Sequence, residues 1–168
     1  MDVGDLLSLT GRLGARKGLR RGTSAAVWYE RGCALEASDP AAAMVAYRRA
    51  LAGQTDFADA HNNLGRLCHD QGDLAAAEAC YRLALSAARG VALYWFNLGV
   101  AIEDQGRTAE AIAAYQAGLA IDPGLADAHY NLARLFERIG RAGDDLALRR
   151  ALNHLASYRR LTAQSARG

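Results

Sequence analysis

Apolar and small side chains along this chain recur in blocks, not in strict alternation. The run ADAHNNLGRLCHDQGD from Ala58, ALYWFNLGVAIEDQGR from Ala92 and ADAHYNLARLFERIGR from Ala126 fall beneath one another at a 34-residue step. Asn63, Asn97 and Asn131 align, as do Leu64, Leu98 and Leu132, then Gly65, Gly99 and Ala133. The second half of the unit repeats too: Ala77 aligns with Ala111, Tyr81 with Tyr115, and Ala84 with Gly118. A period of this length marks stacked supersecondary units, none of which can bury its apolar face alone. The pattern predicts one helical hairpin per unit, with Gly72, Gly106 and Gly140 at the interhelix turns, where glycine accepts backbone angles other residues resist.

The two ends vary the pattern. Before Ala58, Trp28, Gly32 and Leu35 fit the first half of a unit, and AAAMVAYRRAL parallels AAAEACYRLAL. Asp39 followed by Pro40 suits a capping residue and a proline at the first helical position. After Gly140, Asp144 and Asp145 favour a helix start. Leu148, Ala151, Leu152, Leu155, Tyr158 and Leu161 then recur at helical spacing to about Ala163. This predicts a long terminal helix that caps the array. The expected organisation is a leader over 1–24, repeats at about 25–57, 58–91, 92–125 and 126–163, and a tail over 164–168.

Trp95, Leu98, Gly99, Ala111, Tyr115 and Pro123 match the W-x2-L-G-x2-Y, A-x3-F, P pattern. The chain therefore resembles tetratricopeptide repeat proteins. That resemblance implies an all-α fold, a right-handed superhelix of helix-turn-helix hairpins with a C-terminal capping helix. Sparse β-branched residues, abundant alanine and only two prolines agree with it.

In that family the first helix of each repeat lines the concave surface. By position this assigns partner contact to Tyr29, then Asn62, Asn63, Arg66 and His69, then Phe96, Asn97, Val100 and Glu103, and finally Tyr130, Asn131, Arg134 and Arg138. Asn63, Asn97 and Asn131 form a ladder that resembles the one in the superhelix of O-linked N-acetylglucosamine transferases. An amide carries donors and an acceptor, so such a ladder can pair with the backbone of an extended peptide. It can equally bond to a neighbouring helix and set repeat geometry, and the sequence leaves both open. The family's chaperone-tail binders clamp a terminal carboxylate with a lysine and an asparagine in the first repeat. Tyr29 and Cys33 stand at those positions, so that clamp is not expected.

Net charge is +2, but residues 1–24 carry +3 of it and the rest carries −1. The repeats thus give no charge signal for nucleic acid or an anionic membrane. The leader reads as a basic, glycine-rich linker whose first half could form a short amphipathic helix. Cys33, Cys68 and Cys80 fit no disulfide or metal spacing, which points to a reduced, cytoplasmic protein. No HExxH, nucleophile elbow or phosphate loop occurs. No catalytic residue, metal or cofactor is expected, and no small-molecule substrate.

The repeats over about 25–163 also look like the C-terminal half of bacterial regulators that join a MerR-like helix-turn-helix reader to such a domain. This chain contains no such reader. The expected function is a scaffold that holds a peptide or protein partner. The alternatives are the regulatory module of a transcription regulator or an accessory subunit of an enzyme complex. A homodimer through the terminal helices is a further option.

Overall fold

The computed structural model describes residues 24–166. The leader sequence over 1–23 lies outside the described residues. Eight α-helices follow in order: α1 (Ala25–Leu35), α2 (Pro40–Gly53), α3 (Ala58–Asp70), α4 (Leu74–Ala87), α5 (Ala92–Asp104), α6 (Thr108–Ile121), α7 (Ala126–Gly140) and α8 (Asp145–Ser165). They pair as four hairpins that stack in sequence, each second helix packing on the first helix of the next hairpin. The described residues are helices joined by short connections, the all-α stack of helix-turn-helix hairpins that the repeats predict.

Local chemistry explains where the helices start. Asp39, Asp73 and Asp144 accept the amides of Ala42, Ala76 and Ala147 at the heads of α2, α4 and α8. Ser24 does the same for Val27 at the head of α1. The first helices α3, α5 and α7 have no side-chain cap; Phe57, Val91 and Leu125 stand at their N-caps. These three apolar residues pack on the core, so burial holds those helix starts in place of a hydrogen bond.

Close packing inside each hairpin depends on glycine facing tyrosine. A Cβ on Gly32, Gly65 or Gly99 would stand 2.5, 2.9 or 2.6 Å from the ring of Tyr47, Tyr81 or Tyr115. The fourth hairpin breaks this rule. It has Ala133 at the glycine position, facing Leu148, Ala151 and Leu152 across a groove of about 480 Å³.

Two sequence expectations need correction at this end. Gly72 and Gly106 are turn glycines with φ of 79° and 78°, but Gly140 is the last residue of α7. Leu148 packs so tightly on Gly140 that a Cβ there would lie 2.5 Å away, and Gly143, with φ of 106°, makes the turn instead. The apolar stripe of α8 also divides. Ala147 and Ala151 are buried, whereas Leu148 is 37% and Leu152 66% exposed.

Candidate functional site

The face built by the first helices is organised by the same tyrosines. Between the first and second hairpins, the Tyr47 hydroxyl donates to Glu36 Oε1 at 2.5 Å. It accepts from Asn63 Nδ2 at 3.3 Å. Arg66 forms an ion pair with the other oxygen of Glu36. Four residues from two hairpins thus close one polar quartet. Burial, with Cys33 and Glu36 beside it, pushes the Tyr47 phenol far above its ordinary range, so the hydroxyl stays a donor.

The same quartet recurs between the third and fourth hairpins. Tyr115 donates to Glu103 at 2.8 Å and accepts from Asn131 Nδ2 at 3.1 Å. Arg134 lies 3.9 Å from Glu103. The glutamates are the covered members: the Glu36 and Glu103 side chains are 23% and 13% exposed, against 42% and 54% for the arginines over them.

The middle seam is built differently. The equivalent positions hold His69 and Val100, so neither the carboxylate nor the guanidinium is present. Among the described residues the Tyr81 hydroxyl makes no hydrogen bond. Asn97 Nδ2 turns instead to Asn62 Oδ1 at 2.9 Å. His69 pairs with Asp104 at 2.7 Å. Elsewhere on this seam Tyr94 donates to Asp59. Glu78 on α4 accepts from Gln105 and Arg107, at 2.8 and 2.6 Å, and from Arg82 within its own helix. Burial alone would raise the Glu78 carboxyl, but these donors bring it down to about 2.

The other sequence-assigned residues fall around this frame. Tyr29 packs against Phe57 with the rings tilted by 34° and their centroids 4.7 Å apart, and its hydroxyl accepts from Asn63. Burial pushes its phenol up to about 12. Phe96 lies against Tyr115 at 5.8 Å, and Phe96 and Val100 are both half-buried in the middle of the row. Tyr130 is 44% exposed at the far end, with Arg134 over its ring. Arg138 reaches the neutral hydroxyl of Thr108 at 2.9 Å. Asn62 differs from the expected open position: it is 6% exposed, held between Asn63 and Asn97. For the asparagine ladder, each Nδ2 donates to the preceding hairpin, so the geometric role is present. The Asn97 and Asn131 carbonyls make no bond among the described residues.

The histidines repeat a packing bond. His61 Nε2, Trp95 Nε1 and His129 Nε2 point at the carbonyls of Thr55, Arg89 and Pro123, at 2.8, 3.1 and 3.2 Å and six residues earlier in each case. A carbonyl only accepts, so each ring nitrogen carries its proton. His129 Nδ1 then accepts from His154 Nδ1 at 2.9 Å. Burial, with His129 beside it, holds His154 below the ordinary imidazole range. Burial also pushes the Cys80 thiol up to about 11 and raises that of Cys68, which disfavours a nucleophilic thiolate. Among the described residues, no group of three or more candidate ligands could hold a metal. No described helix is long and apolar enough to cross a membrane.

Comparison with known proteins agrees with this architecture. The family described as Tetratricopeptide repeat matches residues 34–98, and that described as TPR repeat matches residues 103–140. No curated protein matches the chain. A crystal structure of MamA is similar with a TM-score of 0.78 at 19% identity, covering 100% of this chain and 99% of its own. MamA 41-end from Desulfovibrio magneticus RS-1 is similar at 0.72 and 19%, covering 84% and 77%. The first TPR of Spaghetti (RPAP3), bound to the HSP90 peptide SRMEEVD, is similar at 0.66 and 19%, covering 70% and 96%. At these identities the likeness is one of fold.

Proposed function

We propose, for a chain built of tetratricopeptide repeats, that it holds an extended peptide or partner protein along its first helices and does not itself catalyse a reaction. One observation carries this reading. The outer seams tie their tyrosine hydroxyls to a glutamate and an asparagine, while the middle seam leaves the Tyr81 hydroxyl unbonded among the described residues, on the same seam as the free Asn97 carbonyl and the half-buried Phe96 and Val100. These two groups can take one backbone N–H and one backbone C=O of an extended chain. Phe96 and Val100 offer an apolar seat for a side chain between them. Arg138, whose bonded partner is neutral, suits a carboxylate further along. The peptide-bound RPAP3 relative lends the same direction to the reading.

The test begins with affinity purification from the native host and mass spectrometry. The recovered partner's binding segment is then measured by calorimetry. Asn97→Ala and Tyr81→Phe should each weaken binding by about 5-fold to 15-fold, the worth of one hydrogen bond. Asn63→Ala should lower stability but leave affinity nearly unchanged. The reverse ranking would sink the reading, as would recovery of no protein partner together with substrate turnover by the purified chain. The free thiols support a reducing, cytoplasmic setting. If the likeness to reader-domain regulators extends to function, the partner is a protein that supplies the DNA-reading part.

A further inference from the structure

The side of α8 turned away from α7 is polar, with Arg149, Asn153 and Arg160, as an array end calls for, but the flank of α8 that borders the α7 groove is apolar. Asp145, Leu148, Leu152, Leu155 and Arg159 are spaced 3, 4, 3 and 4 residues apart. This is the spacing of a coiled-coil seam, which turns the five side chains to one flank of the helix, where Leu148 also packs on Gly140 of α7. Leu152 at its centre is 66% exposed, and the seam borders the groove left beside Ala133 where earlier hairpins place a tyrosine ring. Neither Asp145 nor Arg159 has an ion-pair partner among the described residues.

The charge order of this seam is self-complementary. It is acidic at the start of α8, apolar in the middle and basic at the end. We propose that α8 is the dimerisation surface of this protein, with the α8 of a second copy lying antiparallel across it. Centring the pair near Leu152 sets the Asp144–Asp145 end of each copy against the Arg159–Arg160 end of the other. Leu152 of each copy enters the groove between α7 and α8 of the other. The contact is isologous and closes on two copies. A head-to-tail stack does not fit: the opposite end of the array presents Arg31 and Arg49 around Trp28, and these would face the arginines of α8. The proposal does not rest on peptide binding, since the residues it uses are separate from Tyr81 and Asn97.

Sedimentation of the full chain at micromolar to submillimolar concentrations tests it. The wild-type chain should sediment as a reversible dimer. Leu152→Arg, which sets two like charges together at the centre, should weaken the dimer by about 100-fold or more with unchanged far-UV circular dichroism. Asp145→Arg and Arg159→Asp should each weaken self-association. An equimolar mixture of those two variants should restore the dimer, because each contact then joins an arginine to an aspartate. A monomer at every concentration, a dimer indifferent to Leu152→Arg, or folded charge variants that stay monomeric when mixed would each overturn the proposal. The first of these outcomes would fit a foreign acidic helix as the occupant instead.

Discussion

The outer and middle seams of this array share a backbone plan and differ in how their polar groups are used. Tyr47 and Tyr115 are pinned by a glutamate and an asparagine, with an arginine laid over the glutamate. Tyr81 occupies the same place and is held by packing alone, with its hydroxyl raised far out of its ordinary titration range by burial. Two residue changes account for the difference, histidine for glutamate at His69 and valine for arginine at Val100. A repeat protein can thus keep one fold while dividing its seams between those that fix curvature and one that remains open to a partner.

The largest test of this contrast lies under the tyrosine rings. Gly99→Ala drives a Cβ into the pinned ring of Tyr115 and should destabilise by about 2–3 kcal/mol, as overpacking does. Gly65→Ala meets Tyr81 at a slightly longer 2.9 Å, and this ring is held by packing with no hydrogen bond at its hydroxyl, so the change should cost about 1 kcal/mol less in the same denaturant titration. Equal costs would mean that the quartets do not restrain their rings.

Next in size is the hydroxyl itself. Tyr115→Phe removes a bond to a carboxylate and strands the Asn131 amide, at about 1.5–2 kcal/mol. Tyr81→Phe should be nearly neutral. A double-mutant cycle of Tyr115→Phe with Asn131→Ala should show strong coupling.

Acid sharpens the comparison from the other side. Glu78 ionises at about 2 in the folded chain against an ordinary 4.5, so the unfolded chain binds the proton first as pH falls. Its stabilisation is whole above about 4.5 and is lost on the way down towards 2. The partner arginines are a third to a half exposed, which limits the effect to about 1 kcal/mol. Glu78→Gln should flatten the stability profile over that window by the same amount.

The smallest expected effect comes from building a third quartet. His69→Glu with Val100→Arg gives Tyr81 a carboxylate and a covering guanidinium, and should raise stability by about 0.5–1 kcal/mol. It should also abolish peptide binding at the middle seam. A stabilised variant that still binds would place the peptide elsewhere.

The hairpins were legible in the sequence because small and large residues alternate at positions that only close helix packing explains. The terminal hairpin was less so. Gly140 aligns with two turn glycines, yet α7 runs through it because Leu148 packs on its bare Cα. The leucines of α8 have helical spacing, but spacing does not say which side α7 covers. The quartets were hidden for another reason. Asn63, Asn97 and Asn131 align perfectly, and so do their tyrosines, while the residues that decide the bonding look like ordinary variable surface. Asn62, assigned to the open face, proved to be buried because Asn97 needed its carbonyl.

The recurrence of the quartet every second seam gives the array a longer unit than the one its helices display. Counted by helices, the module is one hairpin; counted by polar bonds, it is two. A designer who lengthens this chain by one hairpin would therefore shift the phase and join an open seam to an open seam or a pinned one to a pinned one. Lengthening by hairpin pairs would preserve the order and add one partner seat for each pair inserted.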